Sequence, residues 1–81
     1  MHITVRLFAR LRDIAGSGEL VRQVPDGSTA RALWDQLVAE YTEFTGYRDA
    51  VSTAINEEYA KMDRVLADGD EVAFLPPVSG G

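Results

Sequence analysis

Residues 71–81, EVAFLPPVSGG, decide how the rest of the chain is read. The unbroken apolar run Val72-Ala73-Phe74-Leu75 is the pattern of a strand with neighbours on both sides, so it belongs near the centre of a sheet. Pro76 and Pro77 then stop it. Neither can donate to a ladder, and each drives the residue before it toward extended backbone. Val78 and Ser79 are small, and Gly80 and Gly81 carry no side chain. Such a segment reads as an extended arm, thin enough to enter a narrow tunnel in a partner with its carboxylate leading. It reads equally as an ordinary frayed end. Glycine makes up about 7% of residues, so chance alone puts a Gly-Gly pair at roughly one chain end in two hundred. The pair acquires meaning only from the strand and the two prolines before it.

Just upstream, Ala67-Asp68-Gly69-Asp70 is a turn that starts the last strand. At the other end, residues 2–10 alternate strictly: Ile3, Val5 and Leu7 share one face, and Thr4, Arg6 and Phe8 the other. The first set is the core face. Phe8 is thereby left among polar residues, where an aromatic is either tolerated or serves as an interface anchor. Ala9 to Ile14 suits a short helical turn with Leu11 and Ile14 inward, and Ala15-Gly16-Ser17-Gly18 ends it. Leu20 to Val24 is a second strand, antiparallel to the first, closed by Pro25-Asp26-Gly27.

Ser28 or Thr29 caps the main helix. Its apolar stripe is Ala30, Leu33, Trp34, Leu37, Val38 and Tyr41, with Arg31, Asp35, Gln36 and Glu40 opposite. Trp34 therefore belongs to the core. Residues 42–46 read as a break and residues 47–50 as a second short turn. Val51 to Ile55 is a third strand, and Asn56-Glu57-Glu58 turns into a short strand, Tyr59-Ala60-Lys61. Residues 62–66 are irregular with two apolar anchors.

One helix among five strands covers one sheet face and leaves the other open. The last strand is best buried beside the first. The expected fold is α+β, a β-grasp with a mixed sheet and one main helix on one face. Residues 1–75 form the domain and residues 76–81 a flexible tail.

Composition narrows the function. A chain of 81 residues makes one small domain, burying about 60% of its unfolded surface. The net charge of −5 offers no basic stripe for nucleic acid and favours partners with basic surfaces. Cysteine is absent, which removes disulfides, thiolate nucleophiles and Cys-based metal sites together. No apolar run is long enough to span a membrane, and the first residues read as a strand, not a signal peptide. A reducing, cytoplasmic address fits.

The side chains assemble no active site. His2 is the only histidine and stands at the ragged N-terminus, so neither a Ser–His pair nor a histidine metal site is expected. Glu57-Glu58 and Asp68/Asp70 read as turn chemistry. Gly16-Ser17-Gly18 lacks the lysine of a phosphate loop. What remains is the carboxylate of Gly81. It ionises near about pH 3.5 and is a poor electrophile until an ATP-using partner adenylates it. Sulfide attack on that acyl carbon would give a thiocarboxylate.

The tail DGDEVAFLPPVSGG, the opening VRLFARLRDIAG and the segment AINEEY together resemble the small-subunit family of molybdopterin synthase, the ubiquitin-like sulfur carriers written MoaD. The likeness runs the length of the chain, and the tail is its most specific part. It implies a ubiquitin-like β-grasp fold and a non-catalytic carrier that is one subunit of a sulfurtransferase. It further implies that Gly81 is adenylated by an E1-like adenylyltransferase, receives sulfur from a donor protein, and donates it to cyclic pyranopterin monophosphate in molybdenum cofactor biosynthesis. The family's functional complex is a heterotetramer with the synthase large subunit. No cofactor is expected on this chain itself, and ATP is consumed by the activating partner.

Carried over by position, Gly81 is the reactive residue, and Gly80, Ser79, Val78 and Pro77 thread the tail. Phe8, Tyr59 and Leu75 stand where the family makes apolar contacts with partners, and Arg12 is placed to meet a partner's acidic group. Tyr59 reads nearly as well as cover for a sheet edge, and Arg12 as a solvated charge. The family often has a second aromatic where Leu75 stands. Three other readings remain: a sulfur carrier for thiamine thiazole synthesis, a ubiquitin-like protein modifier joined to lysines through Gly81, and a plain interaction module. The thiamine-pathway family is usually shorter and lacks both LFARLRDIAG and the double proline.

Overall fold

The computed structural model describes residues 1–77. The strands are β1 (His2–Leu7), β2 (Glu19–Gln23), β3 (Ser52–Ile55), β4 (Glu58–Ala60) and β5 (Glu71–Leu75). The helices are α1 (Ala9–Ala15) and α2 (Ala30–Glu40), followed by a 3-10 helix over Thr42–Tyr47. The strands form one sheet in the order β2-β1-β5-β3-β4. β5 lies between β1, to which it is parallel, and β3, to which it is antiparallel. The other two pairings are antiparallel. This is the mixed β-grasp sheet that the alternation of β1 and the apolar run of β5 implied.

The core lies between the sheet and α2. Ile3, Val5 and Leu7 from β1, Ile55 from β3, and Val72 and Phe74 from β5 face Ala30, Leu33, Trp34 and Leu37. Trp34 is fully buried, stacked on Phe44 with ring centroids 5.4 Å apart and tilted against Phe74 at 4.9 Å. Its indole N–H donates to the Arg48 carbonyl oxygen at 3.2 Å, which satisfies the one polar atom the ring carries inside. Val38 and Tyr41, also expected on the stripe, pack at its partly buried margin.

Two segments that read as irregular have definite tasks. Residues 42–46, expected to be a break, form with Tyr47 the 3-10 helix and seat Phe44 in the core. Residues 62–66 cap α2. The Ala30 and Arg31 N–H groups donate to the carbonyls of Arg64 and Met62, and the Ala32 N–H to the Thr29 hydroxyl. Three otherwise orphaned donors of the first turn are satisfied in this way. Leu66, one of the two expected anchors, is buried in the same segment, and Met62 packs against the core from its edge.

β3 and β4 are joined by a two-residue turn, with φ of 51° at Asn56 and 70° at Glu57. Left-handed backbone at both positions matches the twist of a tight hairpin. Asn56 tolerates it and is clasped to the start of β5: its side-chain amide donates to Asp70 at 3.0 Å and its side-chain oxygen accepts from the Glu71 N–H at 3.0 Å. Glu57 has no such compensation and carries the steric cost of a Cβ in this region. Glu57→Gly is expected to stabilise the fold by roughly 1 kcal/mol, raising Tm by about 4–8 °C in a scanning calorimeter. An unchanged or lower Tm would show that the left-handed Glu57 is not strained.

Candidate functional site

The face of the sheet turned away from α2 is open. Its floor is made shallow by small residues: Ala54 on β3 lies directly opposite Ala73 on β5. Larger side chains stand around that floor. Tyr59, paired with Ala54 from the β4 side, is 81% exposed. Leu75 follows Ala73 on the same face of β5, and Phe8, one residue past β1, is 39% exposed. These side chains enclose a hollow of ≈ 320 Å³. The alternation argument thus placed Phe8 and Leu75 correctly. Phe74 turns into the core, so Leu75 must turn out.

The polar frame of this hollow was not legible in the sequence. Arg6 rises from β1 with its guanidinium carbon 5.8 Å from the centroid of the Phe8 ring, and stands 3.7 Å from the Glu71 carboxylate. Both charges are about two-fifths exposed, so their pairing holds the side chains in place more than it stabilises the fold. Glu57 completes the rim. The signal was the outward position of Arg6 and Glu71 on their strands, but only the register of β1 against β5 brings the two together.

Phe8 owes its direction to the next residue. Ala9 has φ 51°, and this left-handed step turns the chain from β1 into α1 while the Leu11 N–H donates back to the Phe8 carbonyl at 3.1 Å. Leu11 is thereby delivered to the core and the Phe8 ring stays outside. A second hollow of ≈ 600 Å³ adjoins the first across Phe8 and Leu75, with Arg10, Tyr47, Pro76 and Pro77 on its far side. It lies where the chain leaves the sheet. Pro76 is half-buried there and Pro77 exposed.

Arg12 does not join the Tyr59–Leu75 hollow. It is exposed and runs along the α1–β2 loop, where a Cβ on Gly18 would lie 3.4 Å from its Cδ. With Arg6 and Phe8 it lines a separate depression of ≈ 420 Å³. Val78, Ser79, Gly80 and Gly81 lie outside the described residues. Among the described residues no three metal-ligating side chains gather, and no helix is long and apolar enough to cross a membrane.

A family model described as the ThiS family matches residues 5–81, from the middle of β1 through the final Gly-Gly. The chain belongs to the ThiS family. It is 38% identical over 81 residues to the molybdopterin synthase sulfur carrier subunit of Arabidopsis thaliana, a match covering 100% of this chain and 84% of the relative. It is 36% identical over 83 residues to the subunit of the same name from Chlamydomonas reinhardtii, covering 100% of both. Among solved structures, SAMP1 from Haloferax volcanii, a small archaeal modifier protein, superposes with a TM-score of 0.87 at 30% identity over 100% of each chain. The ThiS-family fold thus presents an open, partly apolar face whose Phe8–Leu75 edge adjoins the exit of its C-terminal segment.

Proposed function

We propose that this chain is a sulfur carrier of molybdenum cofactor biosynthesis. Its Gly81 carboxylate is adenylated by an E1-like adenylyltransferase that consumes ATP, and sulfur from a donor protein converts it to a thiocarboxylate. The carrier then docks on the large subunit of molybdopterin synthase and gives the sulfur to cyclic pyranopterin monophosphate. The observation that carries this reading is the end-to-end similarity to molybdopterin synthase sulfur carrier subunits, in a family match that extends to Gly81. The chemistry agrees with it. The chain has no thiol of its own, so sulfur can ride only on the activated carboxylate. A reducing, cytoplasmic compartment suits a thiocarboxylate.

In this reading the domain docks and the tail reacts. Phe8, Tyr59 and Leu75 are the apolar anchors of the docking face, Arg12 a charge at its margin, and Pro77 to Gly80 the segment that threads. Phe8→Ala removes an exposed ring and no core contact, so the fold is retained. Affinity for the large subunit is expected to fall by more than ~1 kcal/mol in a calorimetric titration. Unchanged affinity would take Phe8 out of the docking face.

The carrier reading is tested by incubating the full chain with the E1-like enzyme, ATP and a sulfur donor and measuring intact mass. Replacement of one oxygen by sulfur, placed at Gly81 by fragmentation and trapped by thiocarboxylate-selective alkylation, is the expected result. An unmodified Gly81 alongside an enzyme shown to be active would overturn it. The likeness to SAMP1 keeps a second reading in view, conjugation to protein lysines through the same adenylate. That reading predicts isopeptide-linked products where the first predicts a thiocarboxylate.

A further inference from the structure

Of the eight Lys and Arg residues, Lys61 alone is a lysine. The distinction matters in a chain whose own carboxylate is activated, a premise that rests on the carrier reading. A guanidinium remains protonated and is no acyl acceptor, whereas a lysine amine becomes a nucleophile when it sheds its proton. The Met1 ammonium, the other amine, is engaged: it donates to the Val24 carbonyl oxygen at 2.7 Å and stands 3.8 Å from the Asp26 carboxylate. Lys61 is exposed on the rim of an open hollow of ≈ 530 Å³ beside Tyr59 and Arg64, and none of the ion pairs among the described residues uses it.

The sheet register gives Lys61 its place. Ala60 pairs with Thr53, and Thr53 with Phe74. Leu75 pairs with Ser52, and Lys61, the first residue after β4, follows Ala60 toward the same end of the sheet, from which the chain departs toward Gly81. Two strand spacings, about 10 Å, separate them. The six residues from Pro76 to Gly81 have a contour of about 20 Å, so the amine is within reach of its own carboxylate as well as that of a neighbour.

We propose that Lys61 is an acceptor for the activated carboxylate of this same protein, forming an isopeptide bond within one chain or between two copies. The neutral Lys61 amine attacks the acyl carbon of the glycyl adenylate. A carbon–nitrogen bond forms, the bond from the acyl carbon to the phosphate-bridging oxygen breaks, AMP leaves with the electron pair, and the nitrogen gives one proton to water. Nothing is oxidised or reduced. Lys61 thus competes with the sulfur donor for one carbon, and the outcome depends on how quickly sulfur arrives. Arginine at the other basic positions keeps their charge without opening further branches.

The test uses the full chain, the E1-like adenylyltransferase and ATP, with the sulfur donor omitted. A parallel reaction with hydroxylamine captures the adenylate as a hydroxamate and shows that activation occurred. Without hydroxylamine, a product lighter by one water is expected, either than one chain or than two. Its mass separates the internal bond from the linked pair, and fragmentation should place the bond at Lys61. Lys61→Arg should keep the hydroxamate and lose the dehydrated product. Hydroxamate without any dehydrated product, or a dehydrated product that survives Lys61→Arg, overturns the proposal while leaving the carrier reading intact. Absence of hydroxamate with an active enzyme removes both.

Discussion

Removal of Gly80 and Gly81 is expected to abolish thiocarboxylate formation and leave Tm unchanged. The two effects separate because they belong to different parts of the chain. Among the described residues the buried cluster ends at Phe74 and the ladder of β5 at Leu75, so shortening the chain at Ser79 removes none of the atoms that form them. In the proposed carrier chemistry, the reacting atom and its clearance are both lost. The new carboxylate would sit two residues short of the activating site, on a residue with a side chain where none was before. Intact mass after incubation with enzyme, ATP and donor reads the first effect, and calorimetry reads the second. A Tm several degrees lower would mean that the last residues pack against their own domain, and retained sulfur transfer would mean that Gly81 is not the carrier atom's address.

Trp34→Ala is expected to be the most damaging single change to the fold. Replacing a fully buried aromatic by alanine costs about 3–5 kcal/mol. A domain of this size holds only about 4–12 kcal/mol in total. At about 4–8 °C per kcal/mol, Tm should fall by about 12 °C or more. The loss is not confined to α2. Trp34 touches Phe74 on the central strand and Phe44 on the 3-10 helix, so its removal detaches three elements from one another. Because Trp34 is the only tryptophan, far-ultraviolet circular dichroism in urea replaces fluorescence as the probe. Trp34→Phe keeps a ring and gives up the hydrogen bond to Arg48; it should cost about 1–2 kcal/mol. An alanine variant as stable as the phenylalanine one would show that the ring stack contributes little.

The parts of the fold that were legible in the sequence are those in which one periodicity runs long enough to exclude others. β1 shows three alternations, α2 three turns of stripe, and β5 an unbroken apolar run between a Gly-containing turn and two prolines. The span of β5 and its place beside β1 followed from these patterns, whereas β1 stops at Leu7, short of the alternation read to Arg10, and the pairing of β5 with β3 was not read. The 3-10 helix did not follow: Tyr41, Phe44 and Tyr47 recur at every third residue, but two such steps with Thr, Glu and Gly between them are too short a run to exclude other readings. The hairpin was displaced by one residue. Glu57 is not a residue expected with positive φ, so the turn was extended to Glu58, where β4 in fact begins.

The site divides in the same way. Phe8 and Leu75 were found because alternation sends them away from the core. Tyr59 came from the resemblance, and the register then brought it alongside them. Arg6, Glu57 and Glu71 were missed, since a charged residue facing outward is ordinary until its cross-strand neighbour is known. Arg12 was placed near Phe8 in sequence and is near it in space, yet the turn at Ala9 carries it to the other side of the ring.

The strand that leads into the tail is also the one held from both sides, by β1 in parallel and by β3 in antiparallel. Tension applied at the C-terminus runs along β5 and loads both ladders in shear, so their hydrogen bonds resist together and do not open one at a time. A tail attached to an edge strand would unzip its domain when drawn upon. Held in two ladders, β5 resists being drawn out of the sheet more than a strand held in one ladder would.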